Sequence, residues 1–135
     1  MNPVERLRRI PPEWPLRIGL GLMYLYSGTS LIREPAEWVG FLPQWFTRFV
    51  SAVIPLNTYL AIQGLGELVI ALFLLVWFLP RWVARLAAIA AVFEILFIII
   101  FVGIDLVTFR DLGLLGGALT LLILIFRRRE VVAAE

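Results

Sequence analysis

The chain has 135 residues, of which 61% are hydrophobic, and carries a formal net charge of +2. A soluble domain of this size is about half apolar, so the composition predicts one integral membrane domain over residues 1–135, with the lipid bilayer and not nucleic acid as its surroundings. Cysteine and histidine are absent, which excludes disulfides and thiol redox chemistry and removes the usual haem and zinc ligands. The sequence therefore predicts no metal site and no cofactor held covalently or through histidine or cysteine.

The first predicted span covers about residues 16–32 and follows a short basic segment, 1–14, that ends in prolines. Basic residues before an apolar run also fit a signal peptide, but three more apolar stretches follow, so we expect a retained helix. Fifteen residues separate Arg17 from Arg33, about 22 Å of helix. Because a bilayer is thicker than this, both arginines are expected to extend to its interfaces.

The next segment, about 36–54, is too broken to span a membrane. Its aromatic residues Trp38, Phe41, Trp45 and Phe49 recur at intervals of three and four, and Pro43 is suited to the start of a short helix. This pattern predicts an interfacial or re-entrant amphipathic helix between spans one and two. The alternative is an ordinary loop that is rich in interfacial aromatic residues.

Three further spans are predicted at about 56–79, 83–104 and 112–126, with a tight turn at Pro80. Together with the first span they predict an all-α integral membrane four-helix bundle. Small residues at helical spacing predict close contacts between helices. These are Gly21 with Gly28, then Ala84, Ala87, Ala88 and Ala91, and finally the G-x-x-x-G pair Gly113 and Gly117, through which we expect self-association or contact with other membrane subunits.

The arginines predict the orientation of these spans. One side of the four-span arrangement carries mainly arginine, whereas on the other side Arg33, Arg48 and Arg110 are balanced by acidic residues. The positive-inside rule therefore predicts that both termini and the 80–85 turn lie in the cytoplasm. The cytoplasmic set is Arg6, Arg8 and Arg9, Arg81 and Arg85, and Arg127, Arg128 and Arg129.

Two glutamates fall inside apolar spans. Glu67 lies one helical turn from Gln63 on span two, and Glu94 lies at a similar depth on span three. An intramembrane carboxylate is costly and is functional more often than not. If the two faces converge, one carboxyl group would hold a proton or an arginine would come between them.

A charged outer turn completes a predicted polar funnel above these groups. Arg33, Asp105, Arg110 and Asp111 would form its rim, while Tyr24, Ser27 and Arg17 on span one are candidates for its lining. Each residue also has a structural alternative. Asp111 would cap span four through a Thr108–Asp111 capping box, Arg110 would pair with an acidic neighbour, and the glutamates would be protonated packing residues.

Three motifs resemble the DoxX family of small four-span membrane proteins. Residues 17–28, Arg-Ile-Gly-Leu-Gly-Leu-Met-Tyr-Leu-Tyr-Ser-Gly, are similar to that family's first span. Residues 64–72, Gly-Leu-Gly-Glu-Leu-Val-Ile-Ala-Leu, are similar to its second, and residues 109–119 to the opening of its last. The resemblance implies a four-helix bundle in a bacterial or archaeal plasma membrane, associated with a quinone-linked redox complex.

The leading functional hypothesis is a membrane subunit that is not independently catalytic. It would offer an intramembrane polar pocket, formed around Glu67, Glu94, Gln63, Arg110 and Asp111, to a quinone or another small lipophilic molecule. One alternative is a small proton-coupled transporter that uses the two glutamates as proton sites. Another is a purely structural accessory subunit of a larger membrane complex.

Overall fold

The structure is a computed structural model and describes residues 10–105 and 108–133, with side chains described as far as Arg127. All regular structure in the described residues is helical, as the sequence predicted. The basic residues at 6, 8 and 9 and the side chains of 128 and 129, on which the predicted orientation partly depends, lie outside this description. The helices are α1 (Glu13–Arg33), α2 (Pro35–Val39), α3 (Gln44–Ser51), α4 (Leu56–Leu75), α5 (Arg81–Phe101) and, after a 3-10 helix at Thr108–Arg110, α6 (Asp111–Ala133).

Proline residues set the start of three of these helices. An extended proline directly precedes each of α3, α4 and α5. These residues are Pro43, Pro55 and Pro80, respectively, and their ψ angles lie between 133° and 145°. An extended residue with a fixed φ turns the chain immediately before the first helical residue. The predicted helix start at Pro43 is thus confirmed, and the predicted interfacial segment contains two short helices, α2 and α3, instead of one.

Three helical segments among the described residues are long and apolar enough to cross a membrane. They are Leu56–Leu75, Arg81–Phe101 and Thr108–Arg127. Helix α1 is not among them, because its arginines, glycines and hydroxyl residues lower its mean hydropathy. The composition of these segments supports a membrane protein whose apolar helices contact the lipid bilayer.

Each of the four long helices packs against two of the others, so that the contacts form a ring. Helix α1 lies along α4 and α5 lies along α6, while α4 contacts α5 and α1 contacts α6. The alanine face of α5 lies at the centre, where Ala88 and Ala91 are fully buried. The predicted packing role of this face is confirmed. The core cluster consists of Leu20, Tyr24, Ala71, Leu74, Ala84, Ala87, Ala88, Ala91, Ile95, Ala118, Leu121 and Ile125.

Two glycines bring α1 and α4 into backbone contact. A Cβ atom built on Gly28 would lie 2.7 Å from the carbonyl oxygen of Gly64, and one built on Gly64 would lie 2.7 Å from the carbonyl oxygen of Gly28. On the same face of α1, a Cβ on Gly21 would lie 2.7 Å from the Leu75 side chain. The close approach predicted from Gly21 and Gly28 is confirmed, and Gly64 is its counterpart on α4.

Helix α4 ends at Leu75, four residues before the predicted end of span two. Val76 is extended, with ψ 116°, and the side chain of Arg17 takes the free carbonyl groups at this end. Its Nε donates to Leu74 O at 2.8 Å, and its guanidinium also reaches Val76 O at 3.3 Å and Phe73 O at 3.5 Å. The predicted span runs past this helix end because hydropathy alone does not separate an apolar helix from the apolar turn that follows it.

Arg17 also corrects two other predictions. It was expected to extend to the membrane interface, but it is 7% exposed and lies over the ring of Trp14, 4.4 Å from its centroid. It was also a candidate for the pocket lining, yet it binds the end of α4 that lies two turns beyond Glu67. Arg33, at the other end of α1, is exposed as predicted.

The remaining helix boundaries differ from the predicted ones by a few residues. Helix α5 begins two residues earlier and ends three residues earlier than the predicted span 83–104. It is followed by Gly103, whose φ of +90° suits a residue without a side chain. Helix α6 continues seven residues beyond the predicted end at 126, because arginine is a good helix former and does not stop a helix.

Candidate functional site

The structure brings Glu67 and Glu94 together. Glu67 lies on α4 and is 5% exposed, and its Oε2 accepts a hydrogen bond from Ser27 Oγ on α1. Glu94 lies on α5, and its carboxyl group interacts with the side chains of Tyr24, Gln63 and Glu67. Helices α1, α4 and α5 therefore each contribute polar side chains to one cluster of buried and half-buried residues, which we call the glutamate cluster (Tyr24, Ser27, Gln63, Glu67, Glu94).

Local geometry explains why these side chains meet. Gln63 and Glu67 are four residues apart and share one face of α4. The Gly28–Gly64 contact places Ser27 beside Glu67, since a Cβ on Gly28 would lie only 3.1 Å from the Cβ of Glu67. The Tyr24 hydroxyl also donates to Ala91 O on α5 at 3.4 Å, which ties α1 to the helix that carries Glu94.

The glutamate cluster has no basic member. The groups that interact with the two carboxyl groups in the described part of the chain are Ser27, Tyr24 and Gln63, together with the carboxyl groups themselves. The predicted alternative of an arginine between the two glutamates is therefore not what the described residues form. Two carboxyl groups in contact in a low dielectric do not both stay ionised without compensation, so the contact requires a proton on one of them or a bound cation beside them.

One carboxyl oxygen of the glutamate cluster has no hydrogen-bond donor among the described residues. Glu94 Oε2 is buried and, among the described residues, has no hydrogen-bond partner. A buried acceptor without a donor is uncommon in a folded protein and costs roughly 1–3 kcal/mol. Such an atom is able to accept a hydrogen bond from a bound water or ligand.

A cavity of about 260 Å³ adjoins this cluster. Gln63 and Glu94 are the members of the glutamate cluster in its lining, and the other lining residues, Tyr59 among them, are aromatic or aliphatic. Its walls come from α3 and the turn before it, from the first half of α4 and from the last turns of α5. The lining residues are Leu42, Pro43, Trp45, Phe46, Tyr59, Gln63, Glu94, Phe97, Ile98, Phe101 and Val102.

Five aromatic rings of the lining form a continuous chain of contacts. The ring of Tyr59 lies 5.5 Å from that of Phe46, which lies 5.6 Å from that of Trp45. Trp45 lies 6.0 Å from Phe101, which in turn lies 4.2 Å from Phe97. Aromatic pairs at these separations stabilise the fold in addition to the contribution from burying their apolar surface. Helix α3 is thus held over the cavity by its two rings, Trp45 and Phe46.

The predicted charged rim does not line the cavity, although Asp111 interacts electrostatically with Tyr24 of the glutamate cluster. Asp105 and Thr108 bond reciprocally around the 3-10 helix: Thr108 N donates to Asp105 Oδ1 at 2.8 Å, and Asp105 N donates to Thr108 Oγ1 at 2.8 Å. Asp111 interacts electrostatically with Arg110 and Asp105. The lining of the cavity includes neither Asp105, Arg110 and Asp111 nor the exposed Arg33. The hydrogen bonds of Thr108 run to Asp105 and Gly103, not to Asp111 as the predicted capping box required.

Sequence reasoning missed the aromatic half of the site. The repeat through Trp38, Phe41, Trp45 and Phe49 indicated one aromatic face, but Phe46, which reaches the cavity, lies off that repeat. Phe97 and Phe101 were part of an apolar run with nothing to distinguish them from lipid-facing residues. The available signal was their spacing: Phe97 and Phe101 are four residues apart and lie about one and two helical turns after Glu94, on the same face of the helix.

Comparison with known protein families, with characterised proteins and with solved structures gives no match to this chain.

Proposed function

We propose that this chain is a four-span membrane subunit that binds a small lipophilic molecule in the cavity beside Gln63 and Glu94. The observation that carries the proposal is an apolar, aromatic cavity that ends on two polar side chains, one of which has an unpaired buried oxygen. Ligand sites are typically concave, mostly apolar and equipped with a few polar groups that orient the ligand.

The four-span arrangement is part of this proposal. Helix α1 has 21 residues, about 31 Å at 1.5 Å per residue, and it packs along α4, one of the three apolar spans. Because Arg17 is buried against the end of α4, its charge does not lie on the lipid-facing surface of α1. The arginine distribution then supports cytoplasmic termini, and α2 and α3 would lie at the outer surface as an interfacial segment.

The resemblance to DoxX proteins supports a quinone as one candidate ligand and a membrane redox complex in a bacterial or archaeal plasma membrane as the setting. A quinone has an apolar body with two carbonyl acceptors, for which the Gln63 amide and the Tyr59 hydroxyl are suitable donors. No independent catalytic activity is proposed. Redox chemistry would belong to the quinone and to the partner proteins.

A cavity-filling substitution tests the proposal. Ile98→Trp places a large ring in the cavity, and we expect it to weaken binding of a short-chain benzoquinone at least about ten-fold, the loss of about 1.4 kcal/mol. Binding is measured by equilibrium dialysis of the protein in lipid nanodiscs, with empty nanodiscs as the background.

The matched control is Ile100→Trp, two residues along the same helix, where the side chain is 65% exposed and outside the cavity. It should bind as the wild type does. Equal binding by the wild type and Ile98→Trp would show that the quinone binds elsewhere. If the quinone, benzyltrimethylammonium and the neutral hydrocarbon neopentylbenzene all fail to bind above the nanodisc background, the proposed function fails.

The contact between Glu67 and Glu94 favours a second candidate, a small proton-coupled transporter. Two carboxyl groups that share a proton form a proton-exchange site that a substrate can disturb. This candidate requires substrate-dependent proton movement in sealed vesicles containing the protein. A broad substrate panel without any pH change in the vesicles would exclude it.

Contact with other subunits stays a prediction. Gly113 has open space where a Cβ would be, and Gly117 has only Leu16 at 3.9 Å, so this pair is not used for close packing among the described helices. The pair supports a structural accessory role in which a second copy or another subunit approaches α6. Gly113→Leu should then dissociate the complex, as measured by size-exclusion chromatography with light scattering.

A further inference from the structure

We infer that the cavity takes a lipophilic organic cation, an ammonium group on an apolar body, whose charge lies between Glu94 and the surrounding aromatic rings. This inference rests on the proposed function of the cavity as a ligand site and specifies the chemical class of its ligand. Four properties of the cavity, namely its charge, its unpaired oxygen, its rings and its size, lead to this class.

The first property is charge. Glu94 is the acidic residue of the lining, and none of the described residues that line the cavity is basic. In this inference the two carboxyl groups of the glutamate cluster share one proton and keep one negative charge, and no arginine is among the described groups that interact with them. In a medium of low dielectric an uncompensated charge is expensive, so a cation that enters next to it is favoured over a neutral molecule of the same shape.

The second property is the unpaired oxygen. Glu94 Oε2 is a buried acceptor without a donor among the described residues. A neutral quinone offers only acceptors and leaves this atom unsatisfied unless the proton of the pair moves to it. An ammonium group brings positive charge and, where it carries N–H bonds, donors, so it satisfies what the protein leaves open.

The third property is the aromatic chain around the cavity. Trp45, Phe46, Tyr59, Phe97 and Phe101 all line it and contact one another at 4.2 to 6.0 Å. The faces of such rings are electron-rich and attract ammonium groups, and tryptophan is the strongest of them. Tyr59 also interacts electrostatically with Glu94, which places one ring of the chain beside the carboxyl group.

The fourth property is size. A cavity of about 260 Å³ has room for a small organic cation of the size of a benzylammonium group. The ligand class is therefore a small aromatic or alkyl ammonium ion.

A matched pair of probes tests the charge preference directly. Benzyltrimethylammonium and its neutral isostere neopentylbenzene have the same shape and differ in one atom, N⁺ or carbon. Their binding to the protein in nanodiscs of zwitterionic lipid, which does not attract cations, is measured by equilibrium dialysis against empty nanodiscs. We expect the cation to bind the wild type at least about ten-fold more tightly than the isostere.

Two variants separate the sources of this preference. Glu94→Gln should abolish it by weakening the cation alone, while the isostere binds as before. Trp45→Leu, on the exposed helix α3, should reduce cation binding about three- to ten-fold with little effect on the isostere. Phe49→Leu is the control for Trp45, because Phe49 lies on the same helix, is 69% exposed and does not line the cavity.

The outcomes distinguish this inference from the proposed function. Equal or tighter binding of neopentylbenzene overturns the inference and leaves a lipophilic pocket without charge selectivity. A cation preference that persists in both Glu94→Gln and Trp45→Leu also overturns it, since the preference would then arise elsewhere. Binding of neither probe, together with failure of the quinone to bind, overturns the proposed function itself.

Discussion

Gly64→Ala is expected to lower the free energy of unfolding by about 2–3 kcal/mol. The added methyl group would lie 2.7 Å from Gly28 O, 2.9 Å from Ile32 Cγ1 and 3.0 Å from Leu31 Cβ. Two of these three atoms belong to the backbone or sit at the base of a side chain, so no rotamer change relieves the contact. Helices α1 and α4 must instead move apart, and the packing along their whole interface weakens.

Gly66→Ala is the matched control on the same helix. A Cβ at Gly66 meets nothing within 4 Å, so only the backbone preference for alanine over glycine acts, and this stabilises a helix by about 0.5–1 kcal/mol. The two substitutions add the same methyl group two residues apart on one helix. Because only the one at Gly64 meets neighbouring atoms, their effects on the free energy of unfolding should have opposite signs. Reversible unfolding in mixed detergent micelles measures both.

The functional site adds a second readout to this comparison. Because Ser27 is beside Gly28 and hydrogen-bonds Glu67, separation of α1 from α4 should also weaken ligand binding in Gly64→Ala. Gly66→Ala should leave binding unchanged. Equal stability of the two variants would show that the close Gly28–Gly64 contact does not determine the helix packing.

The elements that sequence reasoning recovered are those that depend on local periodicity. The alanine face of α5 and the pair Gly21 and Gly28 repeat at helical spacing, and a face of small residues has few uses other than close packing. Glu67 and Glu94 stood out because a carboxylate in an apolar span is rare. Their similar depth followed from counting residues along two antiparallel helices.

The elements that it missed depend on contacts between distant parts of the chain. Arg17 is 57 residues from Leu74, and neither sequence neighbourhood indicates the other. A basic residue in the first turn of a span is usually interfacial, so its burial against the carbonyl groups of another helix had no local signal. The same holds for Trp45 and Phe101, which both line the cavity and whose contact cannot be read from either helix alone.

Arg17→Met is expected to lower the free energy of unfolding by about 2–3 kcal/mol. The last carbonyl groups of a helix have no partner within it and form its negative end. Arg17 satisfies this end of α4, with its shortest bond, 2.8 Å, to Leu74 O. Methionine is apolar and has no donor, so the substitution keeps apolar packing against Trp14 but removes the hydrogen bonds and the cation–π contact with that ring.

Two further variants identify the cause of that loss. Arg17→Lys retains the charge but has a compact ammonium in place of a planar fork, so it should recover about half of the lost stability. Arg33→Met removes an exposed arginine from the other end of α1 and should change stability by less than about 0.5 kcal/mol. Amide hydrogen exchange should locate the effect of Arg17→Met in the last turn of α4, at residues 72–76. If Arg17→Met were as stable as Arg33→Met, the end of α4 would have to be satisfied by water or lipid headgroups instead.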